Sequence, residues 1–167
     1  MAYRICVICT GNICRSPMGE VILRHLLDEA GLGDQVEVDS AGTGGWHEGD
    51  GADPRTLTAL TGGGYDGSAH RARQWQRSWY AERDLVLVAD RGHQRELQRH
   101  APTPDDRDKV RLIREFDESA VAAGTLEVDD PYYGDAAGFD RCRDEVEAAM
   151  RGVVEHVRPL VGIPPAR

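Results

Sequence analysis

The sequence predicts an α/β fold of the flavodoxin-like kind, a three-layer sandwich with a four-stranded parallel sheet in the order 2-1-3-4 and helices on both faces. Three observations carry this prediction. The runs Ile5-Cys6-Val7-Ile8 and Leu85-Val86-Leu87-Val88-Ala89 are continuously apolar, as strands buried on both faces must be. These runs alternate along the chain with stretches of helical period, which calls for right-handed crossovers and a parallel sheet. The first run passes through a short turn containing Gly11 straight into a helix, placing that turn beyond the carboxyl end of a strand, where sheets of this kind bind ligands.

Taken in order, the first strand leads through residues 9–17 into a helix over 18–30. That helix carries Val21, Leu23, Leu26, Leu27 and Ala30 as its buried stripe and stops at Gly31 and Gly33. Residues 36–41 form the second strand, and the glycine-rich stretch 42–51 is a polar loop in which Trp46 stands alone. Asp53-Pro54 starts a helix to about Leu60 that Gly62, Gly63 and Gly64 end. Residues 68–81 read as loop followed by short helix, 85–89 as the third strand, and Asp90 as the cap of a helix to about His100, closed by Pro102 and Pro104. Residues 110–113 give a shorter fourth strand, after which a polar stretch reaches Asp129-Asp130-Pro131-Tyr132-Tyr133-Gly134. The last helix, 139–158, puts Phe139, Cys142, Val146, Met150, Val153 and Val157 on one face, and Pro159 ends it. Residues 1–160 are expected to be one domain and 161–167 a loose tail.

Length and charge narrow the function. A chain of 167 residues can bury a full core without disulfide staples. Four irregularly spaced cysteines and a start that leads at once into a strand point to a reducing cytoplasm and away from a secretory leader. The net charge of −9 disfavours nucleic acid and anionic membrane surfaces as partners, and no apolar run approaches a membrane span. Of the 20 basic residues all but Lys109 are arginine, which reflects composition bias.

The chemistry lies in Cys9-Thr10-Gly11-Asn12-Ile13-Cys14-Arg15-Ser16-Pro17. A strand, a tight turn and a helix N-terminus gather backbone N–H groups around one concavity, and such a concavity binds anions. It lacks the Gly-Lys-Ser/Thr ending of a nucleotide P-loop and instead begins with a thiol and ends with a guanidinium. A phosphoryl group held there would present phosphorus to Cys9, while Arg15 gripped two of its oxygens through a planar fork that lysine lacks. The positive end of the helix favours an anionic sulfur, and Ser16 is placed to cap the helix and hydrogen-bond the thiolate. Pro17 fits the first helical turn, where its missing N–H costs nothing.

Loss of an aryloxide or alkoxide from phosphorus needs a proton donor, and the same group can later deprotonate water. Asp130, held extended by Pro131, is the best carboxylate for this; Asp129 is the rival, and a plain turn is the alternative reading. Tyr132 and Tyr133, with Trp46 at the rim, would wall a slot for a flat ring and favour phosphotyrosine over phosphoserine, unless they pack against the domain edge.

These segments, together with Asp39-Ser40-Ala41-Gly42-Thr43, Trp46-His47, Asp53-Pro54-Arg55 and His70-Arg71-Ala72-Arg73-Gln74, closely resemble the low-molecular-weight protein tyrosine phosphatases of bacterial type. The resemblance spans the chain. It implies a phosphatase without metal or other cofactor, acting on tyrosine-phosphorylated proteins and inhibited by phosphate and other oxyanions. Cys9 would be the nucleophile, Arg15 the phosphate clamp and Asp130 the general acid, with Thr10, Gly11, Asn12, Ile13, Cys14 and Ser16 completing the phosphate loop. It implies further that Asn12, Ser16, Ser40 and His70 hold that loop by hydrogen bonds, with Asn12 in an unusual backbone conformation. Cys14 would be a partner for a reversible disulfide with Cys9; from the residues alone it is equally a small packed side chain. Relatives acting on phosphoarginine carry Thr where this chain has Ile13, so Ile13 implies the tyrosine-directed kind. Arsenate reduction coupled to thioredoxin and phosphoarginine hydrolysis are the alternatives on the same fold, and a non-catalytic anion-binding module is a third; the acid argues against the last.

Overall fold

The computed structural model describes residues 2–162. Its strands are β1 (Tyr3–Cys9), β2 (Val36–Gly42), β3 (Leu85–Val88) and β4 (Val110–Leu112), and they form one parallel sheet in the order β2-β1-β3-β4, as the sequence predicts. The central strand β1 is hydrogen-bonded on both sides, with Ile5 opposite Val38 on one side and Leu85 on the other. Such a strand has no wet face. Its alternate side chains enter two separate cores: Ile5, Val7 and Cys9 on one face, Cys6 and Ile8 on the other.

The first core lies under α1 (Arg15–Glu29), α2 (Pro54–Gly62) and α6 (Ala136–Val157). The second is smaller and lies under a 3-10 helix at Arg77–Glu82, which contributes Tyr80, and α3 (Arg91–His100), which contributes Leu97. The buried stripe of α1 is Met18, Ile22, Leu23, Leu26 and Leu27, whereas Val21 and Ala30, expected in it, are only half-buried. Helix α1 is fitted closely between β1 and α6. At Gly19 a Cβ would lie 2.7 Å from Val7 Cγ1 and 3.0 Å from Met150 Cε. The face of α6 is as expected, with all six anticipated side chains buried.

Two short helices were not anticipated. Pro104 does not simply close α3: Thr103 accepts a hydrogen bond from Asp106 N–H, and α4 (Pro104–Asp108) follows. Asp117 caps α5 (Glu118–Ala123), which ends at Gly124 in the left-handed region, φ 72°. Both lie in stretches too short and polar to show a helical period. The chain after α6 continues as a 3-10 turn, Arg158–Val161, with Val161 packed against the first core. Val161 is therefore not part of a loose tail, and residues 163–167 lie outside the described residues. Among the described residues no helix is long and apolar enough to cross a membrane.

Candidate active site

The carboxyl ends of β1 and β3 sit at the point where sheet order reverses, and the loop from Cys9 to Ser16 opens there. Helix α1 begins at Arg15, with Cys14 as its N-cap and no side chain capping it. Ser16 is thus two residues past the cap position, and its hydroxyl turns inward instead. It lies 3.0 Å from Cys9 Sγ and accepts a hydrogen bond from Asn12 Nδ2 at 2.7 Å. Its single proton can go to the sulfur or to the Ala41 carbonyl at 3.4 Å; against a thiolate the 3.0 Å contact requires the hydroxyl to donate. Cys6 and Cys9 have Cys-x-x-Cys spacing, but three residues along a strand place them on opposite faces of the sheet.

Asn12 holds the loop's shape. At φ 58° it is the only non-glycine residue with positive φ among the described residues, a conformation asparagine tolerates. Its amide donates to Ser16 and to Ser40 Oγ at 2.9 Å and accepts from Arg73 N–H at 2.9 Å, and its carbonyl accepts from His70 Nε2 at 2.7 Å. Ser40 in turn donates to Glu20 Oε1 at 2.5 Å, which also lies 3.6 Å from His70 Nδ1. Burial works against the Glu20 charge, but the bonds from His70 and Ser40 and the charge of Arg24 hold its carboxyl below the ordinary value. At Gly42 a Cβ would lie 2.6 Å from the Thr10 carbonyl oxygen, so the loop can rest directly on the end of β2.

Arg15 is buried and fixed before any anion arrives. Its Nη1 donates to Asp90 Oδ2 and to the Val128 carbonyl, both at 2.9 Å, which leaves the Nε and Nη2 edge of the fork free. Burial opposes its charge, yet Cys9, Asp90 and Asp130 together hold its pKa above the ordinary value. Asp130 Oδ2 is 3.8 Å from Nη2, and Asp130 Oδ1 accepts from Tyr132 N–H at 3.1 Å.

Cys9, Arg15 and Asp130 share one cavity of about 200 Å³, with Thr10, Gly11, Ile13 and Cys14 around its base. Trp46, His47, Tyr132 and Tyr133 form its walls. The rings differ in depth: Tyr132 is 38 % exposed, Trp46 75 % and Tyr133 91 %. Tyr132 is the inner wall, and Tyr133 packs edge-on against it at 4.9 Å. Asp129, the rival carboxylate, is exposed and does not line the cavity. Burial pushes the Cys14 thiol up to about 12, so it is protonated at neutral pH.

Several residues of the site were not singled out from sequence. Asp90, read only as a helix cap, does cap α3 by accepting from His93 N–H, and also holds Arg15 with its other oxygen. His93 Nε2 lies 2.8 Å from Thr10 Oγ1, and its Nδ1 is 3.2 Å from Asp90 Oδ1 but outside hydrogen-bond geometry. The signal for Asp90 was its place just past β3, beside the end of β1. His93 and Glu20 carry no local signal.

A doubly covered parallel sheet, with a thiol, a fixed guanidinium and a carboxylate on one cavity beyond the carboxyl ends of its strands, defines an α/β protein of the class that carries its site at the switch point. Residues 4–160 match the sequence profile of the family described as "Low molecular weight phosphotyrosine protein phosphatase". A low molecular weight protein-tyrosine-phosphatase of Streptomyces coelicolor is 56% identical over 161 residues, covering 96% of this chain and 97% of that one. Among solved structures, a protein tyrosine phosphatase of Entamoeba histolytica with Hepes in its active site has a TM-score of 0.89 at 29% identity, covering 95% and 98% of the two chains. Wzb of Vibrio vulnificus, solved in complex with benzylphosphonate, has a TM-score of 0.79 at 26% identity, covering 93% and 99%. The chain belongs to the low molecular weight phosphotyrosine protein phosphatase family.

Proposed function

We propose that this protein hydrolyses protein phosphotyrosine through a phosphocysteine on Cys9, with Arg15 as phosphate clamp and Asp130 as general acid and then base. The observation that carries the reading is the convergence of three groups on one cavity: a thiol 3.0 Å from a buried hydroxyl, a guanidinium with one edge free of hydrogen bonds, and a carboxylate within 3.8 Å of that guanidinium. The sulfur attacks phosphorus as the P–O bond to the phenol breaks, and Asp130 gives its proton to the departing oxygen. Asp130, now a carboxylate, takes a proton from water as that water's oxygen attacks phosphorus and the P–S bond breaks, restoring thiolate and acid and releasing phosphate. Arg15 and the amides of the loop and first turn of α1 bind the non-bridging oxygens, so the charge stabilisation comes from the chain itself. A metal is not called for.

The Tyr132 wall, with Trp46 across the mouth, supports a flat aryl phosphate as substrate, in keeping with the benzylphosphonate bound by the Vibrio vulnificus relative. Ile13 lining the base supports the same preference. Thioredoxin-coupled arsenate reduction would need a relay of accessible thiols. Cys6 and Cys142 do not line the cavity and burial raises the pKa of both, while Cys14, at its base, is pushed up to about 12, which disfavours that relay.

Hydrolysis of para-nitrophenyl phosphate between about pH 5 and 7 in EDTA tests the mechanism, followed by phosphotyrosine, phosphoserine and phosphoarginine peptides. Wild type is expected to turn over fully in chelator and to prefer phosphotyrosine, and Cys9→Ser to lose turnover while keeping its fold. Hydrolysis that survives in Cys9→Ser, or that chelator removes, overturns the reading.

A further inference from the structure

The segment that carries Asp130 is held at few points. Val128 anchors its start, donating to the Ala89 carbonyl and accepting from Arg15. Asp135 anchors its end as the cap of α6. Between them, the hydrogen bonds within the segment are local: Tyr132 N–H to Asp130 Oδ1, and Gly134 N–H to the Pro131 carbonyl at 2.8 Å. Among the described residues, one hydrogen bond joins residues 129–134 to the rest of the domain, and it comes from Arg55, whose Nη1 donates to the Tyr132 carbonyl at 2.8 Å.

Arg55 is itself held. Its Nε and Nη2 grip the two oxygens of Asp53 at 3.0 and 2.9 Å, and its guanidinium lies 4.6 Å from the centre of the Phe139 ring and 5.2 Å from that of Tyr132. Asp53 N–H donates to the Ile13 carbonyl at 2.9 Å, within the phosphate loop. A continuous strut therefore runs from Ile13 through Asp53, Arg55 and Tyr132 to Asp130. Each link is a backbone group or a fork contact, and a lysine at position 55 could not hold both Asp53 oxygens and the Tyr132 carbonyl in one plane.

We propose that Arg55 is a positioning residue for proton transfer, fixing the distance between the phosphate loop and the carboxyl of Asp130 without touching the reacting atoms. This rests on Asp130 being the general acid. A departing phenoxide that is a strong base needs the proton, whereas nitrophenoxide leaves without it. The value of kcat/KM reports P–O cleavage alone, free of later hydrolysis of the phosphocysteine.

The test compares kcat/KM on phenyl phosphate and para-nitrophenyl phosphate for wild type, Arg55→Ala, Arg55→Lys, Asp130→Ala and the double variant Arg55→Ala/Asp130→Ala. Misplacing a catalytic group by about 1 Å can cost 10²-fold, so Arg55→Ala is expected to lose about 10- to 100-fold on phenyl phosphate and no more than about 3-fold on the nitrophenyl ester. Arg55→Lys should fall between wild type and Arg55→Ala, and the double variant should lose no more than Asp130→Ala alone. Equal losses on the two esters in both Arg55 variants, or additive losses in the double variant, overturn the strut if Asp130→Ala still discriminates between the esters. Equal losses in Asp130→Ala overturn the acid assignment itself and the strut with it.

Discussion

His93 reaches the Cys9–Ser16 loop through Thr10 and Arg15 through Asp90, and it is buried where a charged ring is unwelcome. Burial pushes its pKa down from 6.5 to about 4; Asp90, Asp130 and Glu127 pull it up and Arg15 pushes it further down, but burial prevails. Above pH 6.5 the ring is neutral in both folded and unfolded chains, and pH has no purchase on stability through it. Between 6.5 and 4 the unfolded chain takes up a proton that the folded one refuses, so stability falls as pH falls, and below 4 the loss levels off. The whole difference is about 3 kcal/mol. Glutamine does not titrate and can still bond Thr10, so the melting-temperature gap between wild type and His93→Gln should narrow or reverse from pH 7 to pH 5. A gap that stays constant refutes the neutral buried ring. At this scale the sequence was legible where chemistry is local. Cys9, Arg15 and Ser16 are set by one turn, and Asp130 by its proline. His93 and Glu20 became visible only in three dimensions, because their partners lie 83 and 20 residues away.

Helix α1 shows how closely an element can be fitted to its neighbours. A methyl group at position 19 raises helix propensity by up to about 1 kcal/mol. It would also strike Val7, a β-branched side chain on the central strand with nowhere to go, and Met150 on α6. Overpacking of this kind costs about 1–3 kcal/mol, so Gly19→Ala should destabilise by about 1–2 kcal/mol in urea unfolding. A gain in stability would show that the helix can back away from the sheet. In α1 the sequence reading put Val21 in the buried stripe, whereas the structure leaves it half-buried at the edge of the core and buries Met18 and Ile22. Long periodic elements were legible, including α6 and all four strands. Helices α4 and α5 were not, since five or six residues complete too few turns to display a period, and only their caps, Thr103 and Asp117, mark them.

Across the whole molecule, the site is where five separated stretches meet: the phosphate loop, Ser40 at the end of β2, His70 to Arg73, Asp90 with His93, and Val128 to Asp130. An oxyanion bound there braces all five, and the effect should appear as global stability. Inorganic phosphate at 100 times its dissociation constant should add about 2.7 kcal/mol, raising Tm by roughly 5–10 °C. Cys9→Ser should keep most of that rise, and Arg15→Lys, which loses the fork, should lose most of it. An undiminished rise in Arg15→Lys would remove Arg15 from the clamp.

The bond from Arg15 to the Val128 carbonyl spans 113 positions of the chain, and α1 packs on α6, the last long helix. Contacts so distant in sequence form late in folding. At about 5–20 residues per second, synthesis puts roughly 7–30 s between Cys9 and the end of α6. Until that end docks, Arg15 lacks the Val128 carbonyl that fixes it, and Cys9 lacks the Asp130 carboxylate across the cavity. The loop is made first, and the cavity over it is closed last, by the far end of the chain.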